Sequence, residues 1–224
     1  MAKVVALPTE CSGDNPQLQQ CVTMAAAALK EGKVIALPTD TVYGIAALAQ
    51  SSDAVRRMYE IKGRNFEKPI AISVGNIQDV HKWGKNTLDE DILSQLLPGA
   101  VTLVFERTPD LNIELNPYTS LVGIRIPDYE FIRQLAIYCD APLALTSANK
   151  SSTKSSLDVK EFEDLWEHLA IVFDGGTLGD TAECRKGSTV VNLATPGTYK
   201  IIRDGSAFSK TTQTLQGFGL KEAQ

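Results

Sequence analysis

The amino-acid sequence predicts an α/β protein built on a single mixed, twisted sheet flanked by helices. Capped amphipathic segments recur between short apolar runs that end in Pro, Gly or polar residues, as expected of helices and strands sharing one core. The two kinds of segment do not alternate strictly, which separates the chain from a doubly wound fold. At 224 residues, 43% hydrophobic and 22% charged, it has material for one substantial core.

Each element has its own justification. Asn15 caps and Pro16 opens a helix whose apolar stripe is Leu18, Cys21, Val22, Ala25 and Leu29; Lys30 and Gly32 mark its end. Lys33–Leu37 reads as a buried strand stopped by Pro38. After a polar turn, a helix from about Ser52 turns Ala54, Val55, Met58, Tyr59 and Ile61 inward and stops at Gly63. Pro69–Val74 is a strand and Asp89–Leu97 a short helix closed by Pro98. Val101–Phe105 and Leu121–Ile126 are strands, followed by a helix near Asp128 with Phe131, Ile132, Leu135 and Ala136 inward. Pro142–Leu145 is a strand, Phe162–Leu169 a helix, and Ile171–Phe173, Ser188–Leu193 and Tyr199–Ile202 are the last strands. Thr108–Thr119, Ser151–Ser156 and Gly175–Gly187 read as loops, the second being either a lid or a solvated connection. The expected organisation is an extension over residues 1–14, a domain over 15–210 and a tail over 211–224.

Charge and composition exclude several classes. The formal charge is −5, from 27 acidic against 22 basic residues, so a surface that coats nucleic acid is not expected. No apolar run approaches the roughly 18 residues of a membrane-spanning helix. Cys11, Cys21, Cys139 and Cys184 are too scattered for a zinc knuckle and there are only two histidines, so no protein-built metal site is expected. Reduced thiols suit a cytoplasmic protein, with a mitochondrial form if a presequence has been removed. Phosphate-loop, dinucleotide-turn and nucleophile-elbow motifs are missing.

Polar and basic residues instead gather where strands end. Thr39-Asp40-Thr41-Val42-Tyr43-Gly44 follows a strand and offers hydroxyls and amides for a small polar substrate; it can equally be a capped turn. Lys62-Gly63-Arg64-Asn65-Phe66-Glu67-Lys68 holds three cations within seven residues. Lysine point charges and an arginine fork suit a polyphosphate, while Lys62 can also simply complement its helix C-terminus. Arg125 sits among apolar neighbours and needs a partner or a pocket. Thr146-Ser147-Ala148-Asn149, Ser188 and Arg203 add donors at further strand ends. With no obvious nucleophile or histidine base, this set favours chemistry by orientation and charge neutralisation.

Taken in order, Lys33–Gly44, Lys62–Ile70, Pro98–Val104, Gly123–Pro127, Leu145–Asn149 and Cys184–Val191 resemble the YrdC domain family over residues 17–210, nearly the whole chain. Leu97–Ser156, Asp174-Gly175-Gly176 and Glu183-Cys184-Arg185 look like the animal form, and a chain ending at Gln224 resembles the single-domain version. Members of the family are threonylcarbamoyl-AMP synthases. The resemblance implies an open twisted sheet with a central positively charged cleft, and L-threonine, bicarbonate or CO2, and ATP as substrates. It implies Mg2+ held mainly by ATP phosphates, and a product passed to a tRNA threonylcarbamoyl-transferase complex. It also implies a monomer or weak homodimer.

Carried over residue by residue, Thr39, Thr41, Tyr43, Arg125 and Thr146 are expected around threonine and its carbamate. Lys62, Arg64 and Lys68 are expected at the reacting groups, and Lys62, Arg64, Asn65, Ser147, Asn149, Ser188 and Arg203 around the nucleotide. Two departures stand out: Asp204 follows Arg203 where relatives often have proline, and Ile70 replaces a frequent leucine. The rival reading is a double-stranded RNA or tRNA-binding module that uses the same basic cleft without catalysis; the acidic total and the lack of a basic–aromatic stripe weigh against it.

Overall fold

The computed structural model describes residues 2–9, 14–63, 68–151 and 153–223. The elements run β1 (Lys3–Ala6), α1 (Pro16–Lys30), β2 (Ile35–Leu37), β3 (Gly44–Leu48), α2 (Ser52–Lys62), β4 (Ala71–Ser73), α3 (Ile77–Trp83), α4 (Glu90–Leu96), β5 (Val101–Glu106), β6 (Leu121–Arg125), α5 (Glu130–Cys139), β7 (Leu143–Ser147), β8 (Ile171–Asp174), β9 (Thr189–Asn192), β10 (Thr198–Arg203), α6 (Phe208–Gly217) and β11 (Lys221–Glu222). The strands form one sheet in the order β1-β8-β2-β3-β7-β4-β6-β5-β9-β10-β11, mixing parallel and antiparallel neighbours. The expected mixed α/β sheet is what the chain builds.

Local signals explain the elements that frame the cavity. The Asn15 side chain accepts the Gln17 and Leu18 N–H groups at the start of α1. Ser51 caps α2 in the same way through the Ala54 N–H, and Gly63 ends it in the left-handed region (φ 54°), where a Cβ would be strained.

Five features differ from the sequence expectations. β3 occupies what read as turn, because a central strand buried on both faces shows an unbroken apolar run with no period. β1 lies in the expected extension and pairs with β8, and α6 occupies much of the expected tail, burying Thr211 and Leu215. The stretch around Phe162 is not one helix but two short 3-10 turns within Val159–His168, kinked at Phe162. α3 lies between Val74 and Asp89, where no element was expected.

The two faces of the sheet are covered differently. One carries a continuous apolar core with Ile45, Ile72, Leu103, Phe105, Val122 and Ile124. On the opposite face, α1 and α5 pack Leu18, Val22, Phe131 and Leu135 over the strand residues Leu37, Leu143, Leu145 and Phe173. The register carries this second face onward from Leu145 to Ala71, from Gly123 to Val104, from Thr102 to Val190, and from Val190 to Arg203. Along that row the large aliphatic side chains give way to Ala, Gly, Thr and Val, and the helices stop. The floor is left open there.

Candidate active site

Over this floor lies a cavity of about 720 Å³, walled by the Thr39–Gly44 turn, the end of α2, the Lys68–Ala71 segment and the ends of β6, β7 and β10. Of the residues expected from sequence, Thr39, Thr41, Tyr43, Lys62, Lys68, Arg125, Thr146, Ser147, Asn149, Ser188 and Arg203 all line it. Arg64 and Asn65 lie outside the described residues. Gly123 keeps the floor low: a Cβ there would come within 2.9 Å of Thr102 Cγ2 and 3.4 Å of Ala71 Cβ.

The Thr39 hydroxyl organises its own turn, donating to Val42 O at 2.8 Å and accepting the Thr41 N–H at 3.1 Å, with the Thr41 hydroxyl 3.0 Å away. The capped-turn and cavity-lining readings are therefore compatible. Tyr43 is wholly buried; its hydroxyl donates to Gly176 O at 2.6 Å and accepts the Gly175 N–H at 2.9 Å, which ties the loop after β8 to the turn. Burial pushes this phenol well above its ordinary range, so it stays protonated.

Lys62, in the last turn of α2, is 2% exposed and does not reach into solvent as a simple helix-end charge would. Its ammonium donates to Ser147 O at 2.6 Å, to Asn149 O, and to Asn149 Oδ1 at 3.2 Å. The Asn149 amide in turn donates to the carbonyls of Lys150 and Thr153, both at 2.8 Å. Ser151, Thr153 and Ser155, from the segment that could have been lid or connection, border the cavity. The segment is fastened by Ser151 N–H to Lys62 O (3.1 Å) and by the Ser156 hydroxyl to Ala148 O (2.7 Å).

Arg125 ends β6 and is 7% exposed. Its Nη2 donates to Asp40 Oδ1, and Asp40 Oδ2 accepts the Asp128 N–H at 3.0 Å. Desolvation lowers the guanidinium pKa while Asp40 opposes that shift. Nε of Arg125 is buried and has no hydrogen-bond partner among the described residues.

At the other end, Arg203 lays its guanidinium on Ser188, with Nε to Ser188 O at 3.0 Å and Nη2 to Ser188 Oγ at 3.0 Å. The Ser188 hydroxyl also meets Thr102 Oγ1 at 2.8 Å. Gly205 makes this close approach feasible, since a Cβ on it would stand 2.3 Å from the Ser188 carbonyl carbon. Asp204 does not line the cavity; its negative charge acts on Lys186 instead.

Sequence reasoning missed Asp40 as the partner of Arg125, and missed Asn116 and Thr102 altogether. Asp40 lay inside a flagged turn, but nothing local signalled a partner 85 residues away. Cys184 is not among the lining residues. A hydrogen bond from the Thr181 hydroxyl region lowers its thiol pKa.

Lys62, Lys68, Arg125 and Arg203 thus come from four separate places in the fold, and no Asp or Glu among the described residues lines the cavity. A protein of net charge −5 has built a positive hollow. No group of three or more His, Cys, Asp or Glu is placed to hold a metal, and no helix is long and apolar enough to cross a membrane, among the described residues.

Comparison with known proteins points the same way. A family profile described as telomere recombination, Sua5_yciO_yrdC, matches residues 27–205. The threonylcarbamoyl-AMP synthase of Bos taurus is 48% identical, covering 98% of this chain and 82% of the relative. That of Homo sapiens is 51% identical, covering 88% and 71% respectively. Among solved structures, P. abyssi Sua5 complexed with L-threonine superposes with a TM-score of 0.82 at 25% identity, covering all of this chain and 62% of that one. E. coli YciO superposes with a TM-score of 0.78 at 21% identity, covering 92% and 96%, and bears on the fold.

Proposed function

The chain belongs to the Sua5/YciO/YrdC family, and from that premise we propose that it is an L-threonylcarbamoyladenylate synthase, a nucleotidyltransferase joining L-threonine, CO2 or bicarbonate, and ATP. The single observation that carries the reading is the convergence of four cations in a cavity without a lining carboxylate, because two anionic reactants have to meet there.

The reaction begins with the threonine amine adding to CO2, losing a proton to give a carbamate. A carbamate oxygen then forms a bond to the α-phosphorus of ATP as the bond to the β-phosphate oxygen breaks. The products are threonylcarbamoyl-AMP and pyrophosphate, and atoms and charge balance without an oxidant or reductant.

The turn formed by Thr39, Thr41 and Tyr43, with Thr146, takes the amino acid, and the Arg125 guanidinium takes its carboxylate or carbamate. Lys62 and Lys68, with Arg64 on the intervening segment, offset the repulsion between carbamate and phosphates. Ser147, Asn149, Ser188 and Arg203 hold the nucleotide, with Asn65 beside Arg64 in the sequence, and the apolar row Val104, Val190 and Ile202 accepts the purine face. Mg2+ neutralises phosphate charge; a lining of hydroxyls, amides and cations suits an ion carried by the phosphates and water rather than by a protein cage. The labile product goes to a tRNA threonylcarbamoyl-transferase complex, and the chain acts as a monomer or weak homodimer in the cytoplasm.

The test is direct. The protein is incubated with ATP, bicarbonate and threonine, each omitted in turn, and pyrophosphate and the adenylate are followed by mass spectrometry. Pyrophosphate that requires all three supports the proposal. Steeply salt-dependent RNA binding with no threonine-dependent pyrophosphate overturns it.

A further inference from the structure

We infer that Asn116, backed by Tyr59, is a positioning residue that sets where Lys68 stands over the cavity; the inference rests on the adenylate-forming reading above. β4 is only three residues long, and its pairing with β6 begins at Ile72. Ile70 therefore lies two residues before the first pair on that side, although it is buried and its N–H and C=O both require partners. The Asn116 side chain supplies them: Oδ1 accepts the Ile70 N–H at 2.8 Å and Nδ2 donates to Ile70 O at 3.0 Å. A single carboxamide thus replaces a strand residue and fixes the register at which the chain enters β4.

The placement of this clamp gives it a consequence for the site. Lys68, Pro69, Ile70 and Ala71 all line the cavity, as do Asn116, Tyr118 and Thr119, so the clamp ties one wall to another. Pro69 has no N–H with which to hold the segment. The Tyr59 hydroxyl, buried on α2, donates to Leu115 O at 3.0 Å and lies 3.4 Å from both Lys68 O and Asn116 Oδ1. Asn116 is 2% exposed, and the bonds its carboxamide makes are to the Ile70 backbone and the Tyr59 hydroxyl. Its effect on the reaction would therefore pass through the backbone of residues 68–70.

This action through Lys68 can be separated from a general structural role by a double-mutant cycle. Pyrophosphate release is measured for the wild type, Asn116→Ala, Lys68→Ala and the double variant at saturating ATP and threonine, with folding verified by circular dichroism at the assay temperature. Lys68→Ala is expected to lower kcat by about a hundredfold. Asn116→Ala should lower it by about tenfold or more, since displacements near 1 Å are enough for losses of that order. The double variant should fall within about twofold of Lys68→Ala alone, because the clamp has nothing left to position. Should Asn116→Ala fail to fold, Asn116→Asp, which keeps the acceptor for the Ile70 N–H, replaces it in the same cycle. A wild-type chain that releases no pyrophosphate overturns both readings. An active wild type with either a normal Asn116 variant or losses that simply multiply overturns this one alone.

Discussion

The two ends of the cavity hold positive charge in different ways. At the closed end Lys62 is 2% exposed and Arg125 7%, and each is gripped by buried acceptors, two backbone carbonyls for the lysine and the Asp40 carboxylate for the arginine. At the open end Arg203 is exposed and rests on the carbonyl and hydroxyl of Ser188. A buried cation acts strongly on a ligand because little water screens it, but it persists only while protein groups satisfy it. An exposed cation needs no such support and acts more weakly. The closed end should therefore govern both chemistry and stability, and the open end chiefly nucleotide affinity.

The largest expected effect tests the closed end. Lys62→Ala should lower threonine-dependent pyrophosphate release by about a hundredfold or more, as for the loss of one preorganised donor. It also leaves the carbonyls of Ser147 and Asn149 without their ammonium, at about 1–3 kcal/mol for each buried acceptor. A variant with normal turnover and an unchanged urea midpoint would remove Lys62 from its assigned role.

Asp40→Ala leaves the Arg125 guanidinium buried without its counter-charge, and breaking such a pair costs about 3–5 kcal/mol. At the open end, Gly205→Ala forces a methyl group into the Ser188–Thr189 backbone, an overpacking of about 1–3 kcal/mol. Steady-state kinetics sharpens the contrast between them. Asp40→Ala should raise KM for threonine, whereas Gly205→Ala, by displacing Ser188 and with it Arg203, should raise KM for ATP. Matching effects on both substrates would erase the distinction between the two ends.

Much of this was legible in the sequence because it depends on local patterns. The cap at Asn15, the stop at Gly63 and the clustering of cations at strand ends each leave a signature within a few residues. β3 did not, because Gly44–Leu48 is buried on both faces and its apolar run has no period to read. α3 is seven residues long and has no proline stop, whereas the equally short α4 is closed by Pro98. The pairing of Asp40 with Arg125 and the clamp of Asn116 on Ile70 join residues 85 and 46 positions apart. A lone Asn in a loop carries no sign of such a task. Side chains that face the cavity were easier to anticipate than those that hold its walls.

The smallest expected effect concerns the rim. Two loops border the cavity there, one through Ser155 and the other through Gly187, and Arg185 joins them. It donates to Ser155 O at 2.8 Å and pairs bidentately with Glu161 at 2.6 and 2.8 Å. Hydrogen bonds from Arg185 are the main reason the Glu161 carboxyl is held down at about 2, against an ordinary value of 4.5. Because the folded pKa is the lower one, this pair's stabilisation is complete above about pH 4.5 and drains away as pH falls towards about 2. Both side chains are partly exposed, at 29% and 37%, so solvent and salt screen the pair and its contribution stays small. Urea midpoints measured at successive pH values between those limits should therefore fall slightly less steeply for Glu161→Gln than for the wild type, and the difference should shrink in high salt. Identical slopes would mean that the pair spans the rim without fastening it, and that the hydrogen bonds from Leu178 N–H to Leu157 O and from Thr177 to Asp158 hold the loops together instead.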